Sequence, residues 1–263
     1  MGLVFERAGT GSPLVLIHGL GHRRQAWDVL LPLLTPHREV ITLDLPGHGD
    51  SPPLSGSGAD GKNALSAMAD EVAVLLDSLG LDRPHLAGNS LGGALALLLA
   101  SRGLAASATG ISPAGFQNHG YQVTYARTLF SVMLASAKGL RPAIPAMARS
   151  AAGRMALFGM VVAKPGRLTA AQAMGDVAGM AKAGQAVHAV FATFEPFTSG
   201  ISDDIPVTIA WGAKDRVLSP ANARVARERL PSARFVSLDG CGHVPMTDDP
   251  DAVAQVLLDG STG

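Results

Sequence analysis

In the 263-residue chain, Gly88-Asn89-Ser90-Leu91-Gly92-Gly93 follows the apolar His85-Leu86-Ala87 and precedes the helical run 94–100. This is Gly-x-Ser-x-Gly in a strand, turn, helix setting, the setting that gives the pattern its meaning. A strand entering a helix through one tight residue forces that residue into strained φ/ψ space, and Gly88 and Gly92 remove side chains that would collide across the turn. Ser90 is then held out at the sheet edge, with a helix N-terminus beneath it that favours negative charge. An aliphatic hydroxyl is a poor nucleophile near neutral pH, so it needs a base, and the base needs an orienting carboxylate. Two later stretches supply both. Trp211-Gly212-Ala213-Lys214-Asp215 places an acid just past a strand, and Asp239-Gly240-Cys241-Gly242-His243 places a histidine in a Gly-flanked loop after the next one. The expected roles are Ser90 as nucleophile, His243 as base and Asp215 as the group that fixes the histidine tautomer.

Acyl transfer also requires donors for a developing oxyanion, usually two backbone N–H groups. One is expected from Leu91, directly after the nucleophile. The other is expected from Leu20, in His18-Gly19-Leu20-Gly21, where glycine lets the backbone approach closely. Rival residues fit less well. His48, His119 and His188 lie in loops or mid-chain, His18 and His85 adjoin strands and read as structural, and Asp203, Asp204 and Asp239 are the weaker acids. The loop after residue 111 reads Ser112-Pro113-Ala114 and offers no carboxylate.

The elements that must position these groups follow from periodicity. Strands are expected over residues 2–8, 14–18, 39–44, 85–88, 106–111, 206–211 and 234–239, and helices over 25–34, 64–79, 91–102, 220–230 and 249–258. Gly80 and Gly103 supply the left-handed stops of two of these helices. Strand and helix alternating at this rhythm imply an α/β fold with a mostly parallel sheet covered on both faces. The rhythm breaks over residues 114–199, which read as Ala- and Met-rich helices. The expected organisation is a core of 1–113 and 200–263 with 114–199 inserted as a helical cap above the strands' C-terminal ends.

Hydrophobic residues make up 47% and charged residues 16%, enough apolar surface for a large interior and too much for a disordered chain. Twenty-one basic residues balance 21 acidic ones, so no global field recruits nucleic acid or anionic membrane. That neutrality hides a dipole, because residues 114–199 hold eight basic side chains against Asp176 and Glu195, net +6, and the rest carries −6. The same segment holds six of nine Met, six of eight Phe and both Tyr, a composition suited to an adaptable apolar pocket. The single Cys241 forms no internal disulfide and reads as a small packing residue. No secretory pattern or membrane-length apolar run is read, so the expected location is cytoplasmic.

His18-Gly19-Leu20-Gly21 with Trp27, Asp44-Leu45-Pro46-Gly47-His48-Gly49-Asp50-Ser51, the Ser90 turn, Trp211-Gly212 to Asp215, and Gly242-His243 together resemble the α/β-hydrolase family, in that family's order. The resemblance covers the chain apart from residues 114–199. It implies a serine hydrolase acting on a small molecule without a cofactor, with oligomeric state open. Carboxylic ester cleavage is the first reading. C–C bond hydrolysis of ring-cleavage products is the second, with Arg127, Arg141, Arg149 or Arg154 gripping an anionic substrate. A non-catalytic ligand-binding protein on the same scaffold is the third. The family's first antiparallel strand is expected to be missing, since the chain starts so close to the His18 strand. A near match to a phosphate loop over residues 56–63 has Asn63 in place of the metal-binding hydroxyl and reads as a plain loop.

Overall fold

A computed structural model describes residues 2–54, 63–117 and 119–262, so most of the 56–63 stretch lies outside the described residues. Among the described residues, seven strands form one sheet in the order β1-β3-β2-β4-β5-β6-β7. They are β1 (Phe5–Ala8), β2 (Pro13–Ile17), β3 (Glu39–Leu43), β4 (His85–Asn89), β5 (Ser107–Ile111), β6 (Val207–Gly212) and β7 (Arg234–Leu238). All neighbours pair in parallel except β1, which runs antiparallel to β3 at the sheet edge. The expectation of a missing antiparallel strand is thereby corrected: β1 is four residues long and mostly exposed, so it shows little apolar alternation in sequence.

Because the strands are parallel, the loops after β2, β4, β6 and β7 open on one edge of the sheet. Alternation along β2 shows how both faces are covered. Val15 and Ile17 join one core with α2 (Ala64–Ser78) and α3 (Leu91–Ser101), whereas Leu14 and Leu16 join another with α1 (Leu31–Leu34) and the buried Trp27. The helix expected over 25–34 is divided. Residues Arg24–Leu30 form a 3-10 helix, and α1 begins where Pro32 removes the N–H that a continuous helix would donate to Asp28.

Between β5 and β6 lie the helices α4 (Gly120–Gly139), α5 (Ile144–Arg149), α6 (Ala151–Phe158), α7 (Ala170–Lys182) and α8 (Gly184–Ala192), with no strand among the described residues of this stretch. The chain closes with α9 (Asn222–Arg229), α10 (Pro245–Asp248) and α11 (Pro250–Gly260). No helix of the described residues is long and apolar enough to cross a membrane.

Candidate active site

The turn between β4 and α3 is as cramped as its glycines suggest. Ser90 sits at φ 56°, ψ −114°, in positive-φ space that a side chain rarely occupies. A Cβ on Gly88 would collide with Gly92 backbone, and one on Gly92 with the carbonyls of Ile17 and His18. Neighbouring backbone holds Ser90 there: its N–H donates to Ile111 O at 2.9 Å, and its carbonyl accepts from Ala94 at 3.0 Å and Ala114 at 3.1 Å. Strain persists where the surroundings over-determine it, and here three bonds from two elements do so.

His243 and Asp215 meet across the ends of β7 and β6. His243 Nδ1 lies 2.8 Å from Asp215 Oδ2, and both side chains are almost wholly buried. The other carboxylate oxygen, Oδ1, accepts the N–H groups of Val217 at 2.8 Å and Leu218 at 2.9 Å. With one oxygen held by backbone and the other facing Nδ1, a proton on Nδ1 would donate to Asp215 Oδ2 and leave Nε2 as an acceptor. Nε2 is buried without a hydrogen-bond partner among the described residues. Ser90 Oγ is not bonded to it, and such contacts commonly tighten only when substrate binds. Ser90 and His243 line the same cavity, of about 310 Å³.

Leu20 also lines that cavity, while the Leu91 side chain is packed in the core. Neither Leu20 N–H nor Leu91 N–H has an acceptor among the described residues. The remaining lining is mostly apolar and comes from the helices between β5 and β6, including Phe130, Met133, Met147 and Phe158. Arg127, Arg141, Arg149 and Arg154 do not line the cavity. Arg127 donates instead to Phe191 O and Arg154 to Ala148 O. The sequence expectation that one of these arginines grips an anionic substrate there is therefore corrected.

The rival residues fall elsewhere. Asp204 pairs with Arg83 on the surface, Asp239 accepts from Ser237, Asp203 accepts from Ser232, and His119 stacks on exposed Tyr121. His188 is exposed on α8. His18 and His48 are buried together, ring centroids 5.2 Å apart. Burial holds the His18 imidazole well below its ordinary range and brings His48 down to about 4, so both are neutral. His18 accepts from Leu45 N–H, while Asp44 accepts from Arg24 and Asp50, which pins the Asp44–Ser51 loop. His85 packs on Ser107 as a structural histidine. Cys241 is buried, which pushes its thiol up to about 11. Among the described residues, no cluster of three or more His, Cys, Asp or Glu is placed to hold a metal.

Two positioning residues escaped sequence reasoning. Asn89 Nδ2 donates to His243 O at 2.8 Å and Ile111 O at 3.2 Å, tying the serine turn to the histidine loop. Asp248, fully buried, accepts from Gly242 N at 2.8 Å, Ala163 N at 3.0 Å and Lys164 N at 2.6 Å. Val244 N–H donates to Val161 O at 2.9 Å, so the histidine loop is fastened to the stretch 161–164 at two places.

Residues 14–256 match the model of the alpha/beta hydrolase family. This chain is a member of that family. It is 31% identical to a dihydrolipoyllysine-residue acetyltransferase component of an acetoin cleaving system from Pseudomonas putida, over 97% of this chain and 65% of that protein's length, so it spans less than two thirds of that relative. It is 27% identical to a pimeloyl-[acyl-carrier protein] methyl ester esterase from Aeromonas hydrophila, covering 98% of both chains. Among solved structures, a bacterial membrane phospholipase A superposes with a TM-score of 0.74 at 28% identity, covering 98% of this chain and 83% of that one.

Proposed function

We propose that this protein is a serine hydrolase that cleaves a carboxylic ester with a largely apolar chain. The observation that carries the reading is the junction of two features: an imidazole oriented by a buried carboxylate, and a hydroxyl at a strained turn, both opening on one cavity whose lining contains no Lys or Arg among the described residues. In this reading Ser90 Oγ attacks the ester carbonyl as His243 Nε2 takes its proton. The N–H groups of Leu20 and Leu91 stabilise the oxyanion. Collapse of the tetrahedral intermediate expels the alcohol, which takes the proton from His243 and leaves an acyl-Ser90. Water, deprotonated by His243, then releases the acid. Residues 114–199 act as a cap whose Phe and Met side chains grip the apolar chain.

The C–C hydrolase reading shares this machinery but relied on a cationic clamp, and the cavity lining lacks one. An assay of p-nitrophenyl esters from acetate to octanoate beside a ring-fission dienoate separates the two. Ester turnover that rises with chain length is expected. Inert esters together with dienoate turnover would overturn the ester reading.

A further inference from the structure

One wall of the cavity breaks its apolar pattern. His22, in the loop after β2, and Asp176, on α7, both line it. The Asp176 side chain is 12% exposed, yet it accepts no hydrogen bond among the described residues. Its ion-pair contacts are with His22 Nε2 at 3.7 Å and Arg23 Nε at 3.9 Å, both too far for a hydrogen bond. His22 Nδ1 and Arg23 Nε are themselves buried and without partners. The Arg23 guanidinium is fixed in place, because Nη1 donates to Gln25 and its head packs where Gly175 of α7 has no side chain. Buried polar groups are normally paired, since leaving one unpaired costs about as much as losing a hydrogen bond. On this wall the buried, unpaired His22 Nδ1 beside an Asp176 carboxylate that accepts no hydrogen bond marks a place where a ligand completes the bonding.

The charges select the ligand. A carboxylate entering this wall would face Asp176 with no lining cation to hold it. An ammonium would meet a carboxylate whose charge is already offset by the Arg23 guanidinium, which approaches Asp176 at 3.9 Å from outside the lining. A neutral alcohol avoids both conflicts, because its O–H donates to the Asp176 carboxylate and its lone pairs accept from an imidazole N–H. His22 lies two residues beyond Leu20, so the loop that holds the candidate oxyanion donor also holds half of this wall. We propose that His22 and Asp176 form a subsite for a hydroxyl group, so that the substrate is an ester carrying an alcohol on its otherwise apolar chain. The proposal deepens the ester hydrolase reading and, as to the reaction, rests on it.

The test compares kcat/KM for methyl octanoate with its 2-, 3-, 6- and 8-hydroxy derivatives, in the wild type, Asp176→Leu and Asp176→Asn. Hydrogen bonds to a charged group are worth enough that at least one hydroxy ester should exceed the plain ester by about tenfold or more. In Asp176→Leu that ratio should fall to near one. Asp176→Asn, which keeps an acceptor oxygen, should fall between. A general loss of structure lowers both esters together and leaves the ratio unchanged. Calorimetric binding of 2-nonanone and its hydroxylated derivatives reads the same subsite without any reaction. If no ester is cleaved but a hydroxylated ketone binds more tightly, and loses that advantage in Asp176→Leu, the hydrolase reading fails and the subsite stands. Equal turnover and binding for plain and hydroxylated compounds, or a preference that survives Asp176→Leu, overturns the subsite.

Discussion

Ser90 combines two properties that make it the position to test first: a backbone conformation at φ 56° and a side chain on the cavity that His243 also lines. Ser90→Ala should keep the turn, since alanine adds no bulk, and should lower kcat by about 10⁴- to 10⁶-fold with an unchanged circular dichroism spectrum. Retention of most activity would remove Ser90 from the nucleophile's role. Asp215→Asn should preserve the packing but place an N–H or a weaker acceptor opposite Nδ1, with kcat reduced by about 10³- to 10⁴-fold. A variant within tenfold of wild type would show that the Asp215 contact does not matter to the reaction. These residues were legible because local patterns mark them: glycines around a serine after an apolar run, an acid after a strand, and a histidine between glycines in a loop. Asn89 was not legible, since it fills an unspecified position of Gly-x-Ser-x-Gly. Its bond to His243 O spans 154 residues of sequence.

The elements were read well where periodicity is strong, as in β2, β4, α2 and α3, and poorly where long-range bonds decide. Asp248 shows why. In sequence it stands before Asp249 and Pro250 and looks like part of a helix start, and Asp249 does cap α11 by accepting from Ala252. Asp248 instead turns inward to accept three backbone N–H groups, one from Gly242 in the histidine loop and two from the distant residues Ala163 and Lys164. Asp248→Ala would leave the Gly242 N–H buried and unpaired, at about 1–3 kcal/mol, and the part-buried N–H groups of Ala163 and Lys164 unpaired at a smaller cost each. The expected result is a loss of about 3 kcal/mol or more in urea unfolding, together with a lower kcat because the histidine loop loosens. A variant of wild-type stability would mean that water or a neighbour replaces the carboxylate. The same fastening changes what removal of the insertion would do. Excising residues 114–199 takes away Val161 O, which accepts from Val244, so it would disturb the His243 loop as well as substrate choice.

For the whole molecule, overall neutrality concealed how charge is used. Several cations of the insertion fasten it to the body: Lys182 approaches Asp50 at 3.6 Å, and Lys164 and Arg167 both donate to the Asp248 carbonyl. Composition showed the +6 segment but could not show that its Lys and Arg side chains lie outside the cavity lining. Burial of neutral histidines adds a response to acid. Unfolded His48 takes up its proton near the ordinary imidazole value of about 6.5, and folded His48 only near 4. The unfolded state thus binds more protons in between, and stability present above about pH 6.5 is lost as pH falls toward 4. From pH 7 to pH 5, His48 alone should cost about 2 kcal/mol, and His18 shifts in the same direction. Urea midpoints measured at both pH values check this, and a midpoint that does not fall at pH 5 would contradict neutral burial of the pair. The most direct single measurement concerns the reacting hydroxyl: treat the purified protein with a fluorophosphonate and locate the adduct by mass spectrometry. The expected result is one adduct, on Ser90, that is absent in Ser90→Ala and slowed in Asp215→Asn. An unmodified wild type, or an adduct on another side chain, would contradict an activated serine at the β4–α3 turn.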